Sequence, residues 1–283
     1  MEPTWDVAQA SYLWARWLFL AALLLLVLYQ GRASLNTMRL GREAALVLLA
    51  VFTYFAVREL TEGSVQRAEA NAALLVRLEE ALGIFREPAL QHAILDHHGL
   101  VTLANWVYIW GHWPFIALVA VWLFLRRPGA YRRYRNAFIV SGAMGLLLFM
   151  TFPVAPPRLA VDVAVVDTVS QYSHAYRVLQ PPSLVNQYAA FPSLHFGWDL
   201  LIGLALVREA RALWARLLGL LAPLAMFAAI VLTANHYIVD GVAGAAVALL
   251  GLWLAARLWP DRTPHDRASA SPGPLPTGAG PRP

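Results

Sequence analysis

The stretch FPSLHFGWDLLIGLALVREARALWARLLGLLAPLAMFAAIVLTANHYIVD, Phe191–Asp240, decides the fold. Its apolar run from Leu200 to Leu232 is broken most clearly at Arg208-Glu209-Ala210-Arg211, and a histidine stands near each end. His195 and His236 are 41 residues apart, about what one bilayer crossing and one return require at roughly 20 residues each. The arginine-rich break marks the turn on the far side, so both imidazoles come back to one membrane face. Two histidines and Asp240 at one surface make a candidate catalytic centre.

The rest of the chain agrees with a membrane reading. Of 283 residues, 59% are hydrophobic and 14% charged, and the mean hydropathy is +0.53, too apolar for a soluble domain. Cysteine is absent, which excludes disulfides, thiolate nucleophiles and iron–sulfur ligation. All 22 basic residues are arginines, which excludes Schiff-base chemistry at a lysine. The arginines gather in short loops between apolar runs rather than on one aromatic-rich face, so no nucleic-acid partner is expected.

The expected fold is all-α: a polytopic transmembrane bundle of about six to seven spans with an interfacial amphipathic helix. Candidate spans are Tyr12–Leu28, Glu43–Val57, Leu100–Leu125, Asn136–Phe152, Ser193–Val207, Leu213–Leu232 and Tyr237–Trp259. The first follows Glu2 and Asp6 rather than a basic segment, so it reads as a retained span. Between the second and third, Thr61–His98 carries Leu75, Leu78, Leu82 and Phe85 at amphipathic spacing. That helix either lies along the interface near the mouth of the site or packs on the other spans. Three parts follow: 1–42, an N-terminal span and loop; 43–259, the membrane domain; and 260–283, a Pro/Gly/Ser/Ala/Arg tail too polar to order itself.

Orientation comes from the arginines. Fifteen fall on the side away from the histidines with four acids, against seven arginines and thirteen acids on the other, a split of +11 against −6. Arginine-rich short loops stay cytoplasmic. The histidine face is then extracytoplasmic, in a plasma membrane, with the carboxyl tail inside.

His236 and Asp240, four apart at a helix start, share a face. The carboxylate can hold one ring nitrogen as N–H and leave the other as a nucleophile or base; the pair could also merely tie helices together. Pro192 suits the first turn of a helix, which gives Ser193, Leu194 and His195 free amides at an anion-binding helix start. His195 then stands beside a bound anion, close enough to donate a proton; alternatively Ser193 only caps the helix and the histidine is incidental. Arg158, after the helix-stopping Pro153, Pro156 and Pro157, offers a fork of donors matched to phosphate, or is an ordinary interfacial arginine. Asp199 pairs with an arginine, bonds a histidine or makes a structural polar contact. Asn105, Tyr108 and His112, near the outer start of the third span, contact a head group or pack helices. Gly241 and Gly244 are read as packing residues that let the last span approach its neighbours.

Pro192-Ser193-Leu194-His195 followed by His236-xxx-Asp240 resembles the second and third motifs of the type 2 phosphatidic acid phosphatase superfamily. Tyr108-Ile-Trp-Gly-His112-Trp-Pro114 and Pro156-Pro157-Arg158 resemble its inositol-phosphotransferase branch, which includes fungal inositol-phosphorylceramide synthase. The resemblance, over about residues 45–258, implies that His236 attacks phosphorus, Asp240 orients it and His195 protonates the leaving group. The substrate-binding set becomes Arg158, Ser193, Pro192, Tyr108, His112, Asn235 and Arg177. Two features depart: the first motif's lysine is missing, and Ile230 stands where the third motif carries an arginine. With Arg158 as the main cation, assisted by Arg177, a phosphodiester monoanion suits the chain better than a phosphomonoester dianion. The implied enzyme moves a phospho-head group between lipid and alcohol, with a lipid phosphate or prenyl pyrophosphate phosphatase as the alternative. Its partners are membrane lipids, and neither metal nor cofactor is implied. Three rivals remain: a facial-triad metal centre, a serine protease built on Ser193 and His236, and a non-enzymatic transporter.

Overall fold

The computed structural model describes residues 40–50, 52, 65–172 and 186–260. The chain divides into two units, Met1–Leu60 and Thr61–Pro283. In the first, residues 40–50 are helical. The expected span Tyr12–Leu28, most of the second span's C-terminal half and the tail from 261 lie outside the described residues.

The second unit is helical among its described residues. Its elements are α1 (Val65–Ala81), α2 (Glu87–Leu95), α3 (His98–Trp110), α4 (Trp113–Arg126), α5 (Pro128–Thr151), a 3-10 turn at Pro157–Leu159, α6 (Thr168–Tyr172), α7 (Leu194–Glu209), α8 (Leu213–Leu232) and α9 (Ile238–Leu258). The core is α7 packed against α8, α9 and α5, with α9 also lying along α5. Small residues permit this closeness. A side chain on Gly203 would strike the Gly219 carbonyl, and one on Gly219 would lie 2.6 Å from the Gly203 carbonyl. One on Gly244 would overlap the Ser193 carbonyl. The expected packing role of Gly241 and Gly244 is therefore met directly.

Two described helices, α8 and α9, are long and apolar enough to cross a membrane, or three spans if the bent pair α3–α4 counts as one. Six to seven spans are more than the described residues present. α7 has 16 residues, about 24 Å at 1.5 Å per residue, short of a ~30 Å hydrocarbon core. α5 is diluted by Arg132, Arg133, Arg135 and Asn136.

Two sequence expectations need correction. The span Leu100–Leu125 is not one helix: α3 and α4 meet at 46°, because Gly111 ends α3 and Pro114 sits in the first turn of α4. The Thr61–His98 segment is two helices, not one. α1 ends at Ala81 and buries Ala68, Ala72, Leu75 and Glu79, while Leu78 and Leu82 are exposed. Of the expected stripe, only Leu75 is buried. The inward face is a row of small residues ending in a carboxylate.

Candidate active site

The site forms where α7 and α9 begin and α5 ends. α8 stops at Leu232, and the turn through Ala234, at φ 54°, brings the chain back toward α9. Such a left-handed alanine is costly; it is held because its carbonyl accepts from the Arg158 amide at 2.9 Å. The His236 amide donates to the Ile230 carbonyl at 3.1 Å. Ile230, where a family arginine was expected, therefore contributes its backbone to the histidine turn.

Three carboxylates receive the start of α9. The amides of Tyr237, Ile238 and Val239 donate to Asp240 Oδ2 at 2.8 Å, Glu87 Oε1 at 2.8 Å and Glu79 Oε1 at 2.7 Å. These are orphan donors of a helix amino terminus, and carboxylates there gain from the helix dipole as well. Glu79, Glu87 and Asp240 are all fully buried. Burial, reinforced by the neighbouring Glu87 carboxyl and opposed by the Val239 amide, pushes the Glu79 carboxyl up to about 9. A proton held there at neutral pH lets Glu79 donate to Glu87 instead of repelling it.

His236 is 4% exposed, and its Nδ1 lies 2.7 Å from the Ala190 carbonyl and 3.4 Å from Asp240 Oδ2. A carbonyl only accepts, so Nδ1 carries the proton and Nε2 keeps the lone pair. The expected Asp240 contact exists, but the nearer acceptor is a backbone oxygen. Asp240 is bound more tightly to the helix start, and its own carbonyl accepts from the Ser193 amide at 2.9 Å. That bond joins the two histidine segments.

At Ser193 the capping reading holds, and the expected place of Pro192 is corrected. Ser193 is the cap, α7 begins at Leu194, and the Ser193 hydroxyl accepts from the Phe196 amide at 3.4 Å. Pro192 therefore precedes the cap instead of occupying the first turn. Since the Ser193 amide is committed to Asp240, it is not a free anion donor. Nor is Ser193, buried and capping, placed as a protease nucleophile.

His195 projects among rings. Tyr108 stacks on it at 4.7 Å between centroids and 24°, His112 tilts over it at 4.6 Å, and His236 lies 5.9 Å away. His112 Nδ1 is 2.7 Å from Asp199 Oδ1, with both residues buried. Asp199 thus bonds a histidine, one of the alternatives open in the sequence. Asn105 reaches no site residue: it donates to the Thr168 carbonyl and accepts from the Thr168 hydroxyl, both at 3.0 Å.

Arg158 donates from Nε to Asn235 Oδ1 at 2.9 Å and from Nη1 to Asp167 Oδ2 at 3.3 Å. Asn235 in turn donates to Thr233 Oγ1 at 2.9 Å. The guanidinium is thereby tied to the residue preceding His236. Arg177 lies outside the described residues. Among the described residues, no three His, Cys, Asp or Glu side chains are grouped to hold a metal ion.

Sequence reasoning missed Glu79, Glu87, Asp167 and the Ala190 carbonyl. The first two left one trace, acids beside the Leu75, Leu78, Leu82 and Phe85 stripe, but nothing local names an amide 160 or 151 residues away as their partner.

Among the described residues the protein is all-helical, and its small-residue core brings His195 and His236 together at the ends of apolar helices, with Arg158 tied to the residue before His236. The family model described as the PAP2 superfamily matches residues 73–254, more than half of the chain, and the chain belongs to that superfamily. No curated protein and no solved structure matches it. Membership points to an enzyme of phosphatase or phosphotransferase type, and with the apolar helices it suggests a membrane protein.

Proposed function

We propose that the protein is an integral membrane phosphotransferase that moves a phospho-head group, of phosphoinositol type, between a lipid and an alcohol through a phosphohistidine. The observation that carries this reading is the His236 ring. With Nδ1 fixed on the Ala190 carbonyl, Nε2 is the nucleophile, and His195 stands 5.9 Å off as its acid partner. In the first step Nε2 bonds to phosphorus as the P–O bond to the lipid breaks, and His195 gives its proton to the departing alkoxide. In the second, His195 takes a proton from the acceptor, whose oxygen attacks phosphorus and releases the His236 nitrogen. Arg158 binds the phosphoryl oxygens, and no metal takes part.

The charge at Arg158 favours a diester. Its guanidinium is already paired with Asp167, which leaves little net positive charge to meet a dianion, whereas a phosphodiester carries one negative charge. The arginine distribution supports an extracytoplasmic site and a cytoplasmic tail.

The test is product analysis with purified protein in detergent, offered phosphatidylinositol, phosphatidic acid or a prenyl pyrophosphate, with and without alcohol acceptors, beside His236→Ala. Transfer to an acceptor that needs His236 supports the transferase. Release of free phosphate that needs His236 makes the protein a lipid phosphatase, and undiminished activity in His236→Ala refutes the histidine route.

A further inference from the structure

Beyond the His236–Asp240 segment the fold holds a second histidine–aspartate pair. His112, at the break between α3 and α4, places Nδ1 2.7 Å from Asp199 Oδ1 on α7, with the residues 2% and 1% exposed. The pair is remote in sequence, 87 residues apart, and it exists because the α3–α4 bend turns His112 inward. Trp198 lies parallel to the His112 ring at 6.2 Å between centroids, and Trp113 meets it edge-on at 4.9 Å. The ring that His112 meets on the site side is His195, at 4.6 Å.

We propose that His112 and Asp199 form the positioning pair of His195: together with Tyr108 they fix its ring, and the Asp199 charge, passed through the His112 hydrogen bond, favours the protonated form that a poor leaving group requires. This rests on His195 being the general acid. The described surroundings of these residues are as follows. α3 contributes Tyr108 to His195, and the α8–α9 turn contributes His236 with Asp240 behind it. α5 presents Ser141 and Phe138 to Trp198, and α8 presents Phe227 to Phe196, none of them charged. Among the described residues, Asp199 thus stands behind His195 through the His112 ring.

A buried pair that only glued α4 to α7 would slow every substrate alike, whereas a pair that readies the acid must show in the leaving group. When His236 attacks an alkyl diester, the departing alkoxide needs the His195 proton; when it attacks a p-nitrophenyl ester, the phenolate departs without one. The experiment compares kcat and KM for a p-nitrophenyl alkyl phosphate and a dialkyl phosphate in mixed micelles, using full-length wild type, Asp199→Asn, His112→Gln, His195→Ala and His236→Ala, with thermal unfolding to verify folding. For Asp199→Asn and His112→Gln, kcat/KM, which reports the first step and not the intermediate breakdown that both esters share, should fall about 10²-fold further on the alkyl ester than on the aryl ester, the scale of a misplaced catalytic group. An equal fall on both esters, or no fall on either, overturns the proposal. His195→Ala must show the same selectivity more strongly. If it does not while His236→Ala is inactive, the general-acid assignment fails and the positioning role fails with it; if His236→Ala is also active, the histidine route itself is wrong.

Discussion

The Glu79 carboxyl group accepts a 2.7 Å hydrogen bond from the Val239 backbone amide, 160 residues further along the chain. With Glu87 on Ile238, it pins α1 and α2 to the first turn of α9, directly after the nucleophile candidate His236. The segment before α3 is therefore a brace for the turn that carries His236. Its buried Ala68, Ala72 and Leu75 pack with Val154, Ala155, Ala190 and Tyr237, the chain that surrounds the site.

That brace titrates. Glu79 holds its proton up to about 9 in the fold, against 4.5 as an ordinary carboxyl. Its folded value is raised, so its contribution to stability is complete below pH 4.5 and is lost as pH climbs toward 9. Glu79→Gln, neutral at every pH and still able to accept from Val239, should lose less thermal stability than wild type between pH 5 and pH 9. The difference should reach at least about 1 kcal/mol, roughly 2–4 °C in Tm for a protein of this size. Parallel Tm curves for the two proteins would show that Glu79 does not carry the proton.

Gly244 should not tolerate a methyl group. Its position against the Ser193 carbonyl means that Gly244→Ala must part α9 from α7 and with them His236 from His195. Activity should fall at least about 10²-fold and Tm should drop. The control is Gly129→Ala, where a side chain meets open space and both quantities should hold.

Much of this site was legible in the sequence because its logic is local. The His236–Asp240 spacing, Ser193 before a helix and the proline stop before Arg158 are short-range signals, and the structure places all of them at one end of the bundle. The bend at Gly111–Pro114 was written in two residues whose effect on a long apolar run was underread. What could not be read were partnerships across distance. His112 with Asp199, Glu79 with Val239 and His236 with the Ala190 carbonyl each join segments that only the packed bundle brings together, and a backbone acceptor leaves no residue-type signal at all. Of the expected six to seven spans the described residues present two or three, because α7 is short and α5 opens with arginines, while the first span lies outside the described residues.

Arg158 should matter through geometry as well as charge. Removing it in Arg158→Ala should lower kcat/KM about 10²–10³-fold, the loss typical of one oxyanion donor. Arg158→Lys should recover only part, because a lysine cannot bond Asn235 and phosphate from one planar fork. Asn235→Ala, which removes one of the guanidinium's two ties and leaves the Asp167 pair, should cost less than Arg158→Ala. Steady-state kinetics on one phosphodiester decide the order.

The most direct measurement is to trap the intermediate: mix purified protein with a radiolabelled phosphodiester lipid, quench in alkali within milliseconds and map the labelled peptide by mass spectrometry. The phosphohistidine route requires an acid-labile, alkali-stable phosphoramidate on His236 that appears before product and is absent from His236→Ala. Product formation at the wild-type rate with no label on His236, or undiminished turnover by His236→Ala, would contradict it.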